Sequence, residues 1–220
     1  MVTEISKPRQ VVGKRRTHNR VQKRGNTRRK LLLDAAEKML ESLPIEELSF
    51  KQVSAEAGVP EGSAYHFFAN RYDLLTALAA RLAHRFGGRY REPVARKAVG
   101  NWTDLVDILV ERGVALYREN PAAMKIWLSG RTPAQVRLAD HLSEEKVSSD
   151  LQELFELYFV LPKLPKDYDI FFYFLELTDV PLSLSVIERG EISQQAVDEA
   201  KRVGRGYLGT YLPLDLERVA

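Results

Sequence analysis

The sequence contains no cysteine among its 220 residues. This absence excludes disulfides, thiolate metal sites and cysteine nucleophiles. A Gly-rich phosphate loop and an HExxH zinc motif are also missing, and the four histidines are not clustered. The sequence therefore predicts no catalytic residues, no metal site and no cofactor, and a protein that is not an enzyme.

Long apolar runs are missing as well. No segment approaches the roughly 20 consecutive apolar residues with which a helix crosses a bilayer, and no apolar stretch follows the basic N-terminus as in a secretory signal. We therefore expect a cytoplasmic protein with no membrane association. The composition, 45% hydrophobic and 29% charged, is ordinary for a globular protein with room for a small and a medium-sized domain.

Positive charge is concentrated at the N-terminus. Residues 1–30 have a formal charge of +10, and the remainder of the chain has −7. The basic residues of this segment are Lys7, Arg9, Lys14, Arg15, Arg16, Arg20, Lys23, Arg24, Arg28, Arg29 and Lys30. Such an arm is either a solvated tail or a segment that neutralises DNA phosphates and enters a minor groove. Because residues 1–25 have few large apolar side chains, we expect them to be disordered without DNA.

Helical periodicity begins directly after this arm. Apolar residues recur at helical spacing from Leu32 to Leu43, which predicts an amphipathic helix over residues 27–42. Asn26 is expected as its N-cap. Pro44 should end it, because the residue before a proline is pushed out of helical geometry.

Two short helices are predicted next. Ser49 and Gln52 have the spacing of a capping box, so a helix should start there and bury Phe50, Val53 and Ala57. Gly58 suits the left-handed turn that stops a helix, and a second short helix should run from Glu61 or Gly62 to Phe68. This arrangement is typical of a helix-turn-helix, although an ordinary pair of packed helices has the same spacing.

Small residues open the second short helix. Gly62, Ser63 and Ala64 would let its N-terminal end approach the floor of a major groove. Tyr65 and His66 would offer hydrogen bonds to phosphates, while Phe67 or Phe68 anchors the opposite face. Asn70 should cap a further helix, whose inward side chains are predicted to be Tyr72, Leu75, Leu78, Ala79 and Leu82.

Residues 58–75, GVPEGSAYHFFANRYDLL, resemble the DNA-binding signature of the TetR family of bacterial regulators. The family pattern is roughly A-G-V-S-x-G-x-L-Y-x-Y-F-x-S-K-x-x-L, and the resemblance covers about residues 26–75. It implies that Tyr65 and His66 contact phosphates, that Ser63 faces bases, and that Arg71 replaces a phosphate-binding lysine. The remaining expected DNA contacts are Lys51, Gln52, Glu61 and Gly62. The sequence departs from the pattern at Ala64, Phe67 and Ala69, and Phe67 removes a hydroxyl that the family often has.

The chain beyond residue 90 shows no strand alternation. Helices are predicted over residues 101–119, from Pro121 to Gly130, and over residues 133–159. Two more are predicted over residues 168–189 and 193–212, and Pro181 should kink the first of them.

An apolar helix carries two carboxylates, Glu176 and Asp179, which share one face because they are three residues apart. They form either a solvated stripe or ion pair, or polar contacts inside a ligand pocket. The same pocket would be lined by aromatic and apolar residues, any of which could instead be plain core. These are Trp102, Leu105, Tyr117, Met124, Trp127, Phe155, Phe159, Phe171 and Phe174.

The last helix carries a stripe of small residues, Ala196, Ala200 and Gly204. Such a stripe allows close helix packing, either within one chain or across a two-fold axis. The resemblance implies the second arrangement, since family members form homodimers through their last two helices as a four-helix bundle.

Together these patterns predict an all-α protein of about nine helices: a three-helix DNA-binding domain with a helix-turn-helix, then a helical regulatory and dimerisation domain. The expected divisions are an arm at 1–25, the DNA-binding domain at 26–74 and the ligand-sensing domain at 75–220. We expect a repressor that an unknown small-molecule effector releases from a palindromic double-stranded DNA operator. The alternative is a ligand-independent DNA-bridging or nucleoid-type protein with a steep salt dependence. A helical-bundle enzyme is disfavoured, because site chemistry is missing.

Overall fold

The computed structural model describes residues 13–141 and 145–219, and the side chains of residues 25–137 and 147–219. The helices of these residues are α1 Gly13–Ser42, α2 Phe50–Glu56, α3 Glu61–Ala64, α4 Arg71–Tyr90, α5 Trp102–Glu119, α6 Pro121–Leu128, α7 Ala134–His141, α8 Glu145–Glu156, α9 Ile170–Arg189 and α10 Gln194–Leu208. Extended pairing within the described ranges is limited to one isolated bridge between Phe159 and Arg218. The predicted all-α class is confirmed.

The structure describes ten helices where about nine were predicted. The difference lies in residues 133–159, predicted as one helix, where α7 and α8 are separate and residues 142–144 are outside the described part. Helix α8 also ends at Glu156, earlier than expected. Phe159 instead pairs with Arg218, and the amide of Val160 donates to the carbonyl of Glu217 at 2.8 Å.

The first helix begins at Gly13, well before the predicted start at residue 27. Asn26 therefore lies inside α1 and is not its N-cap, and residues 13–25, which were predicted to belong to a disordered arm, are helical in the structure. Lysine and arginine are good helix formers, and a helix already held by buried Leu32, Ala36 and Leu40 extends without forming a new nucleus. Residues 1–12 of the predicted arm lie outside the described residues.

The predicted turn and cap residues have the expected geometry. Ser49 and Gln52 form a reciprocal capping box at the start of α2, and Gly58 has a φ of 61° after it. The Asn70 side chain accepts hydrogen bonds from the amides of Tyr72 and Asp73, at 2.7 and 3.1 Å. These helix boundaries are confirmed because each depends on contacts within a few residues.

Helix α4 connects the N-terminal helices to the rest of the chain and is continuous across the expected domain boundary at 74/75. Its core face contains Leu74, Leu75, Leu78 and Leu82, all fully buried. The prediction of an inward Tyr72 is wrong, since this ring is 38% exposed beside the N-terminal cap of the helix. Ala57, predicted as buried in α2, is only partly covered.

Helix α9 is, among the described helices, long and apolar enough to cross a membrane by length and composition. The expectation that no segment approaches this length is therefore wrong for residues 170–189. The helix contains Pro181, and it packs against α6, α8 and α10. Helix α9 is therefore packed as one member of a helical bundle in the C-terminal part of the fold.

The small-residue stripe of α10 faces the inside of the same chain. Ala196, Ala200 and Gly204 are buried, and a Cβ placed on Gly204 would lie 2.7 Å from the Phe174 ring and 3.0 Å from Val106. The stripe therefore serves the close approach of α10 to α9 and α5. The prediction that it forms a dimer seam is wrong.

Candidate DNA interface and effector cavity

The two short helices present one exposed surface. Helix α3 has a single turn, and the backbone continues through three further turn residues to Phe68. Glu61, Gly62 and His66 are exposed, and Ser63 is partly exposed. Tyr65 is 50% exposed, with its ring centroid 4.7 Å from that of Phe50. The structure thus places these five predicted DNA contacts on or beside one exposed turn of the chain.

The buried side of α3 is held by Ala64 and Phe68, which are 0% and 4% exposed. Ala64 therefore points into the core, and the expectation that it eases approach to a groove is wrong. At this side α3 packs against α1 and α2. Phe67 is partly buried at the edge of this core.

Two predicted contacts come from α2. Lys51 and Gln52 are exposed, but the Gln52 side chain already accepts hydrogen bonds from the amide and the hydroxyl of Ser49, at 3.2 and 2.5 Å. Contact between Gln52 and a base would compete with this cap. Lys51 lies in the same first turn of α2 and is exposed at the surface.

Arg71 has a different environment from the one expected. Its Nη1 donates to the carbonyl oxygens of Glu46 and Leu48, at 3.0 and 3.5 Å, and its guanidinium lies 5.2 Å from the Tyr72 ring centroid. The side chain thereby connects the start of α4 to the turn before α2. In this arrangement Arg71 positions the helix-turn-helix.

A cavity of about 220 Å³ lies in the C-terminal part of the fold. Helices α4, α5, α6, α7, α8 and α9 all contribute to its wall. The lining residues are Ala83, Phe86, Tyr90, Tyr117, Ile126, Trp127, Gly130, Thr132, Arg137, Val147, Leu175, Glu176, Asp179, Val180 and Ser183.

Four of the eleven predicted ligand contacts line this cavity: Tyr117, Trp127, Glu176 and Asp179. The other seven do not. Trp102, Leu105, Phe155, Phe159, Phe171 and Phe174 are core residues with at most 2% exposure, and Met124 packs partly buried against that core. Composition alone does not separate an aromatic wall from an aromatic core, because both require large apolar side chains.

Several lining residues were not predicted but follow from helical spacing. Phe86 and Tyr90 continue the inward face of α4 by one and two turns beyond Leu82. Val180 and Ser183 lie on the face of α9 that carries Glu176 and Asp179. Extending the predicted face of α9 by one turn and that of α4 by two turns would have included them.

The cavity holds one strongly perturbed carboxyl group. Burial raises the pKa of Asp179 to about 7, the Tyr117 hydroxyl opposes this shift, and the neighbouring Glu176 charge adds to it. The Tyr117 hydroxyl donates to Asp179 Oδ2 at 2.5 Å. Burial also raises the pKa of Tyr90, with a further contribution from Asp179. Removal from water disfavours each charged form.

Three aromatic rings form a cluster beside this carboxyl group. The Phe86 centroid lies 5.3 Å from Tyr117 and 5.1 Å from Trp127. Tyr117 and Trp127 are 6.2 Å apart in an edge-to-face arrangement, which matches the electrostatic preference of aromatic pairs. Among the described residues, three or more acidic or histidine side chains nowhere gather to hold a metal ion.

Helix α6 connects the cavity to the N-terminal helices. Ile126 and Trp127 line the cavity, and the preceding Lys125 donates to the carbonyl oxygens of Glu41 and Leu43, at 3.2 and 3.1 Å. At the start of α6, Asn120 donates to Glu37 at 2.9 Å. Beyond its end, Arg131 pairs with Glu46 at 2.5 Å.

Comparison with known proteins agrees with this architecture. Residues 32–78 match a family model described as bacterial regulatory proteins, tetR family, and residues 100–212 match one described as tetracyclin repressor-like, C-terminal domain. A TetR-family transcriptional regulator from Streptomyces coelicolor has a similar structure, with a TM-score of 0.65 and 25% identity. The alignment covers 84% of this chain and 99% of that one.

Two further similarities differ in extent. The HTH-type transcriptional regulator BetI of Yersinia pestis is 28% identical over 102 residues, or 46% of this chain and 52% of the relative. The chain therefore spans about half the length of the curated relatives that it matches. The multidrug binding protein EbrR, solved with ethidium, shares the fold with a TM-score of 0.55 and 20% identity, covering 82% of this chain and 98% of that one.

Proposed function

Since this chain belongs to the TetR family of bacterial transcriptional regulators, we propose that it is a homodimeric repressor. It binds a partly palindromic operator in the cytoplasm, and a small ligand in the cavity releases it. Residues 26–74 would form the DNA-binding domain and residues 75–220 the regulatory domain. No catalytic step is part of this proposal.

The observation that carries the DNA-binding role is the surface of α3. The tightly turned backbone leaves Glu61, Gly62, Tyr65 and His66 exposed while Ala64 and Phe68 hold the helix to the core. Ser63 lies on the same side. Tyrosine and histidine side chains suit phosphate contacts, which position a protein on the duplex, and a small serine suits a base edge.

The outer face of α9 supports the homodimer. Tyr173, Val180, Leu184 and Ile187 are 39%, 52%, 54% and 56% exposed, and Leu177 is partly buried between them. Val180 also lines the cavity, so it lies at the edge between this stripe and the cavity-facing side of α9. Their spacing alternates between three and four residues, as in helices that pack lengthwise against a partner. An exposed apolar stripe of this kind marks an interface. We propose that α9 of each protomer pairs across the two-fold axis.

Ligand release requires that the cavity and the DNA surface influence one another. Helix α6 supports this coupling, because it carries cavity residues Ile126 and Trp127 and also Lys125, which holds the end of α1. A ligand that shifts α6 would change the position of α1 and hence of α3. By linkage, that ligand must bind the DNA-free conformation more tightly than the DNA-bound one.

Selection of bound sequences from a random DNA pool tests this proposal. A palindromic consensus with two half-sites about one helical turn apart is the expected result. Enrichment of no consensus, together with a steep salt dependence, would support the nucleoid-type alternative instead. A consensus with a single half-site would contradict the dimeric arrangement.

A further inference from the structure

The proposed effector cavity combines an aromatic wall with two carboxyl groups. Its apolar wall includes the ring cluster of Phe86, Tyr117 and Trp127, with centroids 5.1 to 6.2 Å apart. The carboxyl groups of Glu176 and Asp179 line the same space. Aromatic faces and carboxylates both attract a positive charge, the former through the ring quadrupole.

Asp179 is partly buried and faces the cavity. Its Oδ2 accepts from the Tyr117 hydroxyl at 2.5 Å, and burial holds its pKa far above the usual range. A buried carboxylate is costly unless it has a partner of opposite charge. A cation in the cavity would supply that partner and would favour the ionised form.

Other charged and titratable groups face the same cavity. Arg137 of α7 contributes to the wall, but it is exposed, so its charge is screened by solvent. Tyr90 of α4 also lines the cavity; a tyrosine hydroxyl is neutral near pH 7, and burial raises its pKa further. Glu176 has a further interaction within the chain, so we assign it a smaller share than Asp179 in attracting a cation, and Arg137 opposes this attraction from the solvent side.

We propose that this cavity binds a compact organic cation, an ammonium group carried on an apolar or aromatic body. This inference rests on the proposed effector role of the same cavity and names the chemical class of its ligand. The volume of about 220 Å³ is below the roughly 300–1,000 Å³ of pockets for drug-sized ligands, which favours a small molecule. The ammonium group lies against Asp179 and Glu176, and the apolar body packs on the three rings.

Calorimetric titration of the full-length protein with two matched probes tests the proposal. Benzyltrimethylammonium is the cation, and N,N-dimethylbenzamide is a neutral aromatic molecule with the same number of heavy atoms. At pH 8 we expect the cation to bind about tenfold more tightly or better, equivalent to about 1.4 kcal/mol. Equal affinity for the two probes, or no binding of the cation at millimolar concentration, would overturn the proposal.

Variants localise the effect of charge. Asp179→Asn keeps an acceptor for Tyr117 and should lower cation affinity about tenfold while leaving the neutral probe unchanged; Glu176→Gln should have a smaller effect in the same direction. Glu153→Gln is the control, because Glu153 is an exposed carboxylate of α8 outside the cavity wall. Loss of affinity for both probes in Asp179→Asn would indicate a purely structural role and contradict the proposal.

The pH dependence of cation affinity provides a second test. Because Asp179 ionises near pH 7, wild-type affinity for the cation should rise by up to about tenfold from pH 6 to pH 8. Asp179→Asn should lose most of this dependence. A wild-type affinity that is the same at both pH values would contradict the assignment of the cation to Asp179.

Operator binding is measured separately in the same preparations. Charge-selective binding that leaves the DNA complex intact would support the ligand class but contradict ligand release in the proposed function. Release of DNA by the neutral probe alone would support ligand release but contradict the proposed ligand class.

Discussion

Lys125 donates a hydrogen bond from its ammonium group to the main-chain carbonyl oxygen of Leu43 at 3.1 Å. The same group reaches the carbonyl of Glu41 at 3.2 Å. The last carbonyls of a helix lack intrahelical donors, so a cation from α6 satisfies the end of α1. The next two residues of α6, Ile126 and Trp127, line the cavity. One short helix thus borders the cavity and holds the end of α1.

Lys125→Met should weaken this connection. We expect a loss of about 1 kcal/mol in the free energy of unfolding, because two helix-end carbonyls lose their donor. Lys38→Met is the matched control, since Lys38 forms an exposed pair with Glu56, and its effect should stay within about 0.5 kcal/mol. Chemical denaturation measures both, and equal values for the two variants would contradict a structural role for Lys125.

The DNA surface predicts two different mutant phenotypes. Tyr65→Phe retains the ring that packs on Phe50 but removes the hydroxyl, so affinity for all sequences should fall about fivefold. Ser63→Ala should instead relax preference at one base pair of each half-site, where a wrong pair costs about 1–3 kcal/mol. Binding-site selection with each variant distinguishes these outcomes. A changed consensus in Tyr65→Phe would show that the roles are assigned wrongly.

The dimer should depend on the outer face of α9. Leu184→Glu is expected to produce monomers at micromolar concentration, because a charge would be buried in an apolar interface. Leu157→Glu is a close control, with 52% exposure against 54% for Leu184 but a location outside α9. Analytical ultracentrifugation measures both. If the Leu184→Glu protein remained dimeric, the interface would have to lie elsewhere. Gly204→Leu is expected to disrupt the fold of the protomer, because a side chain there would collide with Phe174 and Val106.

The N-terminal extension of α1 should contribute to DNA binding through charge. A helix about 10–12 Å across is too wide for a minor groove of about 6 Å, so residues 13–25 are expected to contact phosphates from outside that groove. Each neutralised phosphate adds about 0.9 to the slope of log K against log salt. Deleting residues 1–24 should flatten this slope by several units per dimer without changing the consensus.

Deletion of residues 1–12 is the control for that experiment. Of the lysine and arginine residues, it removes only Lys7 and Arg9. The helical residues 13–24 carry six more. The shorter deletion should therefore have the smaller effect on the salt slope. Identical slopes for the full chain and both deletions would make the extension a solubility segment.

Stability should depend on pH through Asp179. Its pKa is about 7 in the folded protein, against a reference value of 3.8, so the native state binds this proton more tightly than the unfolded state. The associated stability is complete below about pH 4 and is lost as pH rises through 7, with a slope of up to about 1.4 kcal/mol per unit. Asp179→Asn should remove the decline between pH 5 and 7. A wild-type protein equally stable at pH 5 and 8 would contradict this environment for Asp179.

Local signals in the sequence determined the DNA-binding module. The Ser49 and Gln52 capping box, the positive φ at Gly58 and the Asn70 cap were predicted correctly, because each arises from atoms a few residues apart. Their spacing also determined the family resemblance. The start of α1 was not predicted correctly, because basic residues can extend a helix without an apolar periodicity that would reveal it.

Only the tertiary structure decided what the aromatic and small residues of the second half do. Trp102 and Trp127 cannot be distinguished by residue type, and both were predicted to line the pocket. Trp102 is 1% exposed in the core, whereas Trp127 lines the cavity. Gly204 is small because Phe174 and Val106 lie against it within the chain. The packing of α5, α6, α9 and α10 settles each of these cases, because whether an apolar face meets core, cavity or solvent depends on elements far apart in sequence.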